Sequence, residues 1–376
     1  MRILLRAGNS PFHAPPPREG PGFGNSGNVL FAHSVFKALY TQHNVIEVDE
    51  YDPDFRTPDE INERYDAFVL PMANAFRPQF LPQLERYTAL IRRLKIPCIV
   101  VGVGVQASLD LRELKGDPID SAVRAFAASV LERSAEIGVR GEYTHAYLND
   151  LGFRAVNVIG CPSMFFHGAE FSIANAAGPP SADAAIAVNH SPAAGAHSAE
   201  FIRQLLNSYP NSTFVAQENA NEETWRGMIS DEDPKSSSRV RHFRDISTWL
   251  GFMRRQSFSI GTRIHGNIAA MLAGIPAVVL VHDARIQEIV RYHRIPHALA
   301  ESVTAETRLE TLVAGMDVGA ANAFARAGFD HYRRFLEKNG LVHAYGDPQN
   351  VSDFNRRLEM ASLECSGADP HPRTPR

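Results

Sequence analysis

The chain has 376 residues, 44% of them hydrophobic, more than one core comfortably serves and enough for two ordinary α/β domains. Its formal net charge of −4 excludes the strongly basic field that would draw nucleic acid or an anionic membrane surface, so an anionic ligand has to be held by local cations. Cys98, Cys161 and Cys365 show no paired spacing, no run approaches the roughly 18 apolar residues of a membrane span, and the opening "MRILLRAGNS" is too poor in apolar residues for a secretion signal. These features predict a cytoplasmic protein without disulfides, metal or resident cofactor, and leave a homo-oligomer open.

In chain order, short apolar runs alternate with segments of helical period, the pattern of parallel βαβ units. Strands are expected at Arg2–Arg6, Val45–Val48, Ala67–Leu70, Cys98–Val101, Ile137–Val139 and Val156–Ile159. Between them Val29, Ala32, Phe36, Leu39 and Tyr40 share one helical face, as do Leu84, Tyr87, Ile91 and Leu94, and then Val123, Phe126, Val130 and Leu131. Residues 1–173 thus form one doubly wound domain, and the small-residue stretch "ANAAGPPSADA" (174–184) reads as a linker. The same pattern restarts in residues 185–303, with strands at Ala185–Val188, Thr213–Ala216, Val240–Phe243, Phe258–Ile260 and Ala277–Val281 and helices at Glu200–Leu206 and Ile246–Arg254. Residues 304–363 carry only helical signals, chiefly Ala321–Leu336 and Val351–Leu363, and are expected to pack back on the first domain. The polar, proline-rich residues 364–376 read as disordered.

Two facing doubly wound domains leave a cleft where the carboxyl ends of both sheets meet, and open α/β sheets bind ligands at that edge. "FSIGTRIHGNIAAMLAG" places Arg263 and His265 there, between a buried strand and a helix with Ile268, Met271, Leu272 and Ile275 on its apolar face, stopped by Gly274 and Pro276. A helix N-terminus already favours an anion, and arginine adds a planar fork suited to carboxylate or phosphate. The plainer alternative is that Arg263 holds a neighbouring carbonyl and His265 is a satisfied loop residue. Three more loops reach the same edge: "GFGNSGN", with Asn25 or Ser26 as helix cap; "VGVGVQA", with Gly102 and Gly104; and "GVRGEYTHAYL", with Arg140 before a helix, where a surface salt bridge is the alternative. His282-Asp283 could offer a polar group or simply pair with Arg285, and "SDEDPK" (230–235) reads as a solvated loop rather than a metal site.

The blocks "GNSGN", "VVGVGVQ", "IGVRGEYTHAYLNDLG", "VIGCPSMFF" and "SIGTRIHGNIAAMLAGIPAVVL", in this order over roughly residues 20 to 295, resemble the polysaccharide pyruvyl transferase family. The resemblance implies a glycosyltransferase-B-like pair of Rossmann-like domains and transfer of pyruvate from phosphoenolpyruvate to a sugar, lipid-linked saccharide or glycan as a ketal. It further implies a donor held by Arg140, Arg263, Ile264, His265, Gly266 and Asn267, with Arg140, Arg263 and His265 catalytic and His265 supplying the proton. The acceptor would lie along Asn25, Ser26, Asn28, Asn74, Gly104 and Gln106. This chain departs from the family's usual Asp-Pro at Cys161-Pro162, and from a frequent acidic residue at Asn28, which leaves the acceptor and one catalytic role open. The competing readings are a nucleotide-sugar glycosyltransferase of the same architecture and a binding relative that has lost the reaction.

Overall fold

The computed structural model describes residues 1–13, 25–51, 56–110, 116, 118–174, 178, 180–218, 228–229 and 239–366. The glycines at 22 and 24, part of the 174–184 stretch, "SDEDPK" and residues 367–376 lie outside the described residues.

The apolar runs of the first half become β1 (Arg2–Arg6), β2 (Val45–Asp49), β3 (Ala67–Pro71), β4 (Cys98–Val101), β5 (Ile137–Val139) and β6 (Val156–Val158). β2-β1-β3-β4 form one parallel sheet, and β5-β6 continue it through a parallel bridge between Val103 and Val139. β3 and β4 are buried along their whole length, which is why they read as unbroken apolar runs. The second half forms β7 (Ile186–Asn189), β8 (Thr213–Ala216), β9 (Val240–His242), β10 (Phe258–Gly261), β11 (Ala277–Val281) and β12 (His297–Leu299), in the parallel order β12-β11-β10-β7-β8-β9. β12 is an edge strand of three residues with no apolar run, so its sequence carries no strand signal.

The chain reverses its direction of travel across each sheet at one place: between β1 and β3 in the first, and between β7 and β10 in the second. Those switch points leave crevices at the carboxyl edges, and the two edges face each other. The helix Ile264–Leu272 ends sooner than its apolar pattern suggests. Gly274 takes φ +81°, its N–H reaches the Met271 carbonyl and the Ile275 N–H reaches Ala270, a Schellman stop that puts Ile275 beyond the helix.

One apolar core runs through both units and the C-terminal helices, from Ile3 and Val35 through Met271 and Val279 to Tyr332 and Phe354. The last helix, Pro348–Ser366, packs Phe354 among Phe12, Phe36 and Tyr40, and buried Lys37 donates from the helix Ser26–Leu39 to Asn355 at 2.8 Å. It also meets the second half, where Ser362 donates to Asp245 at 2.9 Å. Helix Val318–Lys338 stacks Tyr332 on Phe165 with centroids 5.2 Å apart. The cleft is therefore clamped from behind by the tail.

Candidate active site in the interdomain cleft

A cavity of about 490 Å³ lies between the two carboxyl edges. Of the residues singled out in the sequence, Asn25, Asn28, Asn74, Gln106, Arg140, Arg263, Ile264 and His265 line it. Four others stand behind its wall. Ser26 is tied by its backbone N–H to the Gln217 carbonyl at 2.9 Å. Gly104 packs where a Cβ would meet the Ala73 carbonyl and the Arg140 side chain at 3.2 Å. Gly266 lets Asn189 and Gln217 approach, each within 2.7 Å of where a Cβ would sit. Asn267 is fully buried and shapes the loop: its amide donates to the Gly261 and Arg263 carbonyls at 3.0 and 3.2 Å, while Ser259 donates to its oxygen at 3.0 Å.

That network fixes the turn after β10. Asn189, at the end of β7, accepts the Arg263 N–H at 2.7 Å, so the switch point of the second sheet dictates where Arg263 leaves the backbone. The helix Ile264–Leu272 begins directly after it, and His265 lies in its first turn. The helix Ser26–Leu39 of the first domain, capped by Asn25 through Gly27 N–H at 2.8 Å, meets it head on: a Cβ at Gly27 would lie 2.7 Å from the His265 Cβ. Two helix N-termini thus converge on the cleft, and their dipoles make its floor favourable to negative charge.

Arg140, at the exit of β5, is 1% exposed, and among the described residues its Nε and Nη2 have no hydrogen-bond partner. Its guanidinium lies 4.6 Å from the Phe31 ring centroid. It is not the surface salt bridge that its sequence context allowed. Burial, and to a lesser degree the charge of Arg285, pulls its proton affinity below the usual guanidinium range. The helix after it, Glu142–Asp150, receives its N-terminal cap from the other domain: Glu288 accepts the Thr144 N–H at 3.0 Å and the Thr144 hydroxyl at 2.8 Å. Burial pushes the Glu288 carboxyl up to about 7.

Arg263 is differently placed. Its two terminal nitrogens grip Glu218 at 2.7 and 3.1 Å, and Asn25 of the first domain donates to the same carboxylate at 2.8 Å. The fork expected to meet a donor is closed on a side chain. Between the arginines His265 is buried, with Nε2 3.7 Å from the Cys161 sulfur. Burial, then the charges of Arg140 and Arg285, hold this imidazole well below its ordinary value. The wall residues that escaped sequence reasoning include Arg77, Gln217 and Glu218. Arg77 follows β3 in "PMANAFRPQF", Gln217 and Glu218 follow β8, and only their place after strand ends could have marked them. Gln217 is 7% exposed, and its Nε2 has no partner among the described residues. Arg285 pairs with Asp283 at 3.0 Å, as its spacing allowed, but also faces the cavity, and its Nε has no partner among the described residues. Among the described residues no group of three His, Cys, Asp or Glu is placed to hold a metal ion, and no helix is long and apolar enough to cross a membrane.

The sequence profile of the polysaccharide pyruvyl transferase family matches residues 25–284, from the Asn25 cap to the start of the helix carrying Arg285. The chain belongs to this family. Its members are transferases that act on polysaccharide, so a sugar or glycan is the acceptor class for this pyruvyl transferase relative. No curated protein matches the chain. Solved structures similar to it include a putative UDP-N-acetylglucosamine 2-epimerase of Listeria monocytogenes (11% identity, 100% of this chain and 99% of that one, TM-score 0.47). The UDP-N-acetylglucosamine 2-epimerase of Neisseria meningitidis is similar at 11% identity, 96% and 100% coverage and TM-score 0.47. Anabaena HepE, solved with UDP and glucose, is similar at 12% identity, 96% and 100% coverage and TM-score 0.45.

Proposed function

We propose that the chain transfers pyruvate from phosphoenolpyruvate to two hydroxyls of a saccharide, forming a ketal and releasing phosphate. The observation that carries this reading is Arg140: a buried guanidinium with two unpartnered nitrogens, aimed into a cavity where Arg77 and Arg285 add positive charge. Leaving a buried charged donor unpaired costs about 1–3 kcal/mol or more, so the site is built to be completed by an anion. Phosphoenolpyruvate carries a carboxylate and a phosphate on one small frame and meets cations from both walls, Arg140 and Arg77 on one and Arg285 on the other. Arg263 joins them when Glu218 gives way.

The acceptor oxygen attacks C2 of the donor as C3 takes a proton and becomes the methyl group. The C2–O bond to phosphate then breaks, and a second hydroxyl of the same sugar closes on C2 as its proton passes to the departing phosphate. His265 serves the two proton movements of the first step. In the empty cleft its depressed proton affinity keeps it neutral, the form that accepts the proton of the attacking hydroxyl. The donor's negative charge offsets Arg140 and Arg285, so the ring holds that proton and delivers it to C3. His265 thus starts as a base and ends as an acid, where sequence reasoning expected the acid alone. The test is incubation with phosphoenolpyruvate and a panel of saccharides, following phosphate release and the mass of the product. A ketal with one phosphate released per transfer is expected; a protein that neither binds phosphoenolpyruvate nor releases phosphate from it with any acceptor overturns the reading.

A further inference from the structure

The switch point of the first sheet has a cavity of its own. It measures about 120 Å³, sits beside the carboxyl ends of β1 and β3, and shares Asn28, Ala73, Asn74 and Arg77 with the wall of the main cleft. Arg6, the last residue of β1, lines it and is 8% exposed. Its Nε donates to the Tyr87 hydroxyl at 2.5 Å and its Nη1 to the Pro71 carbonyl at 3.0 Å. The Tyr51 and Tyr87 ring centroids lie 4.8 and 5.4 Å from its guanidinium carbon. That hold fixes the guanidinium but brings no counter-charge. Arg77, which also lines it, donates to the Gln106 amide oxygen at 2.9 Å. Among the described residues the hydrogen-bond partners of both arginines are neutral.

Both guanidiniums line this one small cavity, and each costs desolvation that an anion shared between them would offset. Burial, and then the charge of Arg285, lowers the proton affinity of Arg77. The rest of the wall suits a sugar: the rings of Phe31, Tyr51 and Phe80 offer apolar faces, and the amides of Asn28 and Asn74 offer hydrogen bonds to hydroxyls. Two guanidiniums on one cavity wall suit a dianionic phosphoryl group better than a singly charged carboxylate.

We propose that this cavity is an acceptor subsite that takes a phosphoryl group carried by the saccharide, next to the ring that receives pyruvate. The inference rests on the pyruvyl-transfer reading for the existence of a saccharide acceptor, and adds that the acceptor is a sugar phosphate.

The test is calorimetric titration, with phosphoenolpyruvate saturating, of glucose 1-phosphate, methyl α-glucoside, methyl glucuronide and inorganic phosphate. Wild-type protein should bind glucose 1-phosphate about tenfold or more tightly than the neutral glycoside or inorganic phosphate, the gain expected of charge-assisted hydrogen bonds. Arg6→Gln should erase that preference while still binding phosphoenolpyruvate, because Arg6 stands outside the main cavity. If Arg6→Gln does not fold by its melting curve, Arg6→Lys, which keeps the charge and loses the planar fork, takes its place and should weaken the preference without loss of donor binding. Equal binding of the phosphate and the glycoside by the wild type, including binding of neither, overturns the subsite, as does a preference that survives the substitution. A preference for the glucuronide overturns the phosphoryl assignment. Failure of the wild type to bind phosphoenolpyruvate sinks the pyruvyl-transfer reading, whereas donor binding without sugar preference sinks the subsite alone.

Discussion

Arg140 and Arg263 occupy matching positions on the two walls of the cleft, each in the turn between a parallel strand and the helix that follows it, yet their surroundings are opposites. Arg140 is 1% exposed and among the described residues lacks partners on two nitrogens, while Arg263 is half-buried and bidentate on Glu218 at 2.7 and 3.1 Å. One domain presents a cation that needs a ligand's charge, and the other presents a cation that must exchange a carboxylate for one. The same residue type at the same kind of turn is therefore no guide to its state. What decides is whether a carboxylate from another strand end reaches it.

The largest effect should come from the ring between the two arginines. His265→Asn keeps a polar side chain of similar size, so donor affinity should stay within a few-fold while turnover falls roughly 10²–10⁴-fold, the usual yield of acid–base catalysis. Steady-state kinetics beside donor calorimetry measures the split. Parallel losses of affinity and turnover would make His265 part of the wall rather than the chemistry.

Next come the arginines themselves. Arg140→Lys keeps charge but loses the planar fork, and donor affinity should weaken on the order of 1.5–3 kcal/mol, the range for hydrogen bonds to charged groups. Arg263→Lys should cost less, because the fork it loses is already engaged by Glu218. Calorimetry with phosphoenolpyruvate on both variants tests this directly. Equal losses would erase the contrast between the two walls.

The wall behind Arg140 has a pH dependence of its own. Burial raises the Glu288 carboxyl from 4.5 to about 7, so between those values the folded protein keeps a proton that the unfolded chain gives up. The contribution of Glu288 to stability is complete below about 4.5 and is lost as pH rises through about 7. His33, His167 and His190, lowered by burial to about 4, act in the other direction over the same window, since the unfolded chain binds protons that the buried rings refuse. The wild-type curve mixes the two, but Glu288→Gln isolates one. Urea midpoints should show the wild type losing stability relative to the variant as pH rises from 4.5 to 7; a constant difference would mean that Glu288 does not titrate at the domain junction.

How much of this the sequence carries follows from the range of each interaction. Fully buried parallel strands such as Ala67–Pro71 and Ala277–Val281 announce themselves as unbroken apolar runs, and the strand-to-helix turns holding Arg140 and Arg263 are visible from the runs on either side. Edge strand His297–Leu299 is silent because only one of its neighbours needs it and its flanks are exposed. The charge state of the cleft is hidden for a different reason. Glu218 reaches Arg263 across 45 residues, Asn25 reaches Glu218 across 193, and Glu288 caps Thr144 across 144. Such pairings arise from how two sheets face each other, and no local spacing encodes them.

The smallest effect is the sharpest probe of the second wall. Glu218→Gln removes the carboxylate that holds the Arg263 fork while keeping an amide that can still accept from Asn25, so the loop after β8 should stay in place. A partly exposed ion pair of this kind is worth about 1 kcal/mol or less, and that is the most the change can release. If Arg263 receives the donor's anion, phosphoenolpyruvate no longer competes with Glu218 and should bind up to about fivefold more tightly, with a smaller further loss on adding salt. If Glu218 instead positions Arg263 for the acceptor, donor affinity should not improve and the acceptor KM should rise. Calorimetry with the donor and kinetics with the acceptor, run on the same variant and beside the double change Glu218→Gln with Arg263→Lys, separate the two, because a gain that needs the freed fork is lost when the fork is replaced, whereas a gain from removing the cavity's negative charge is kept.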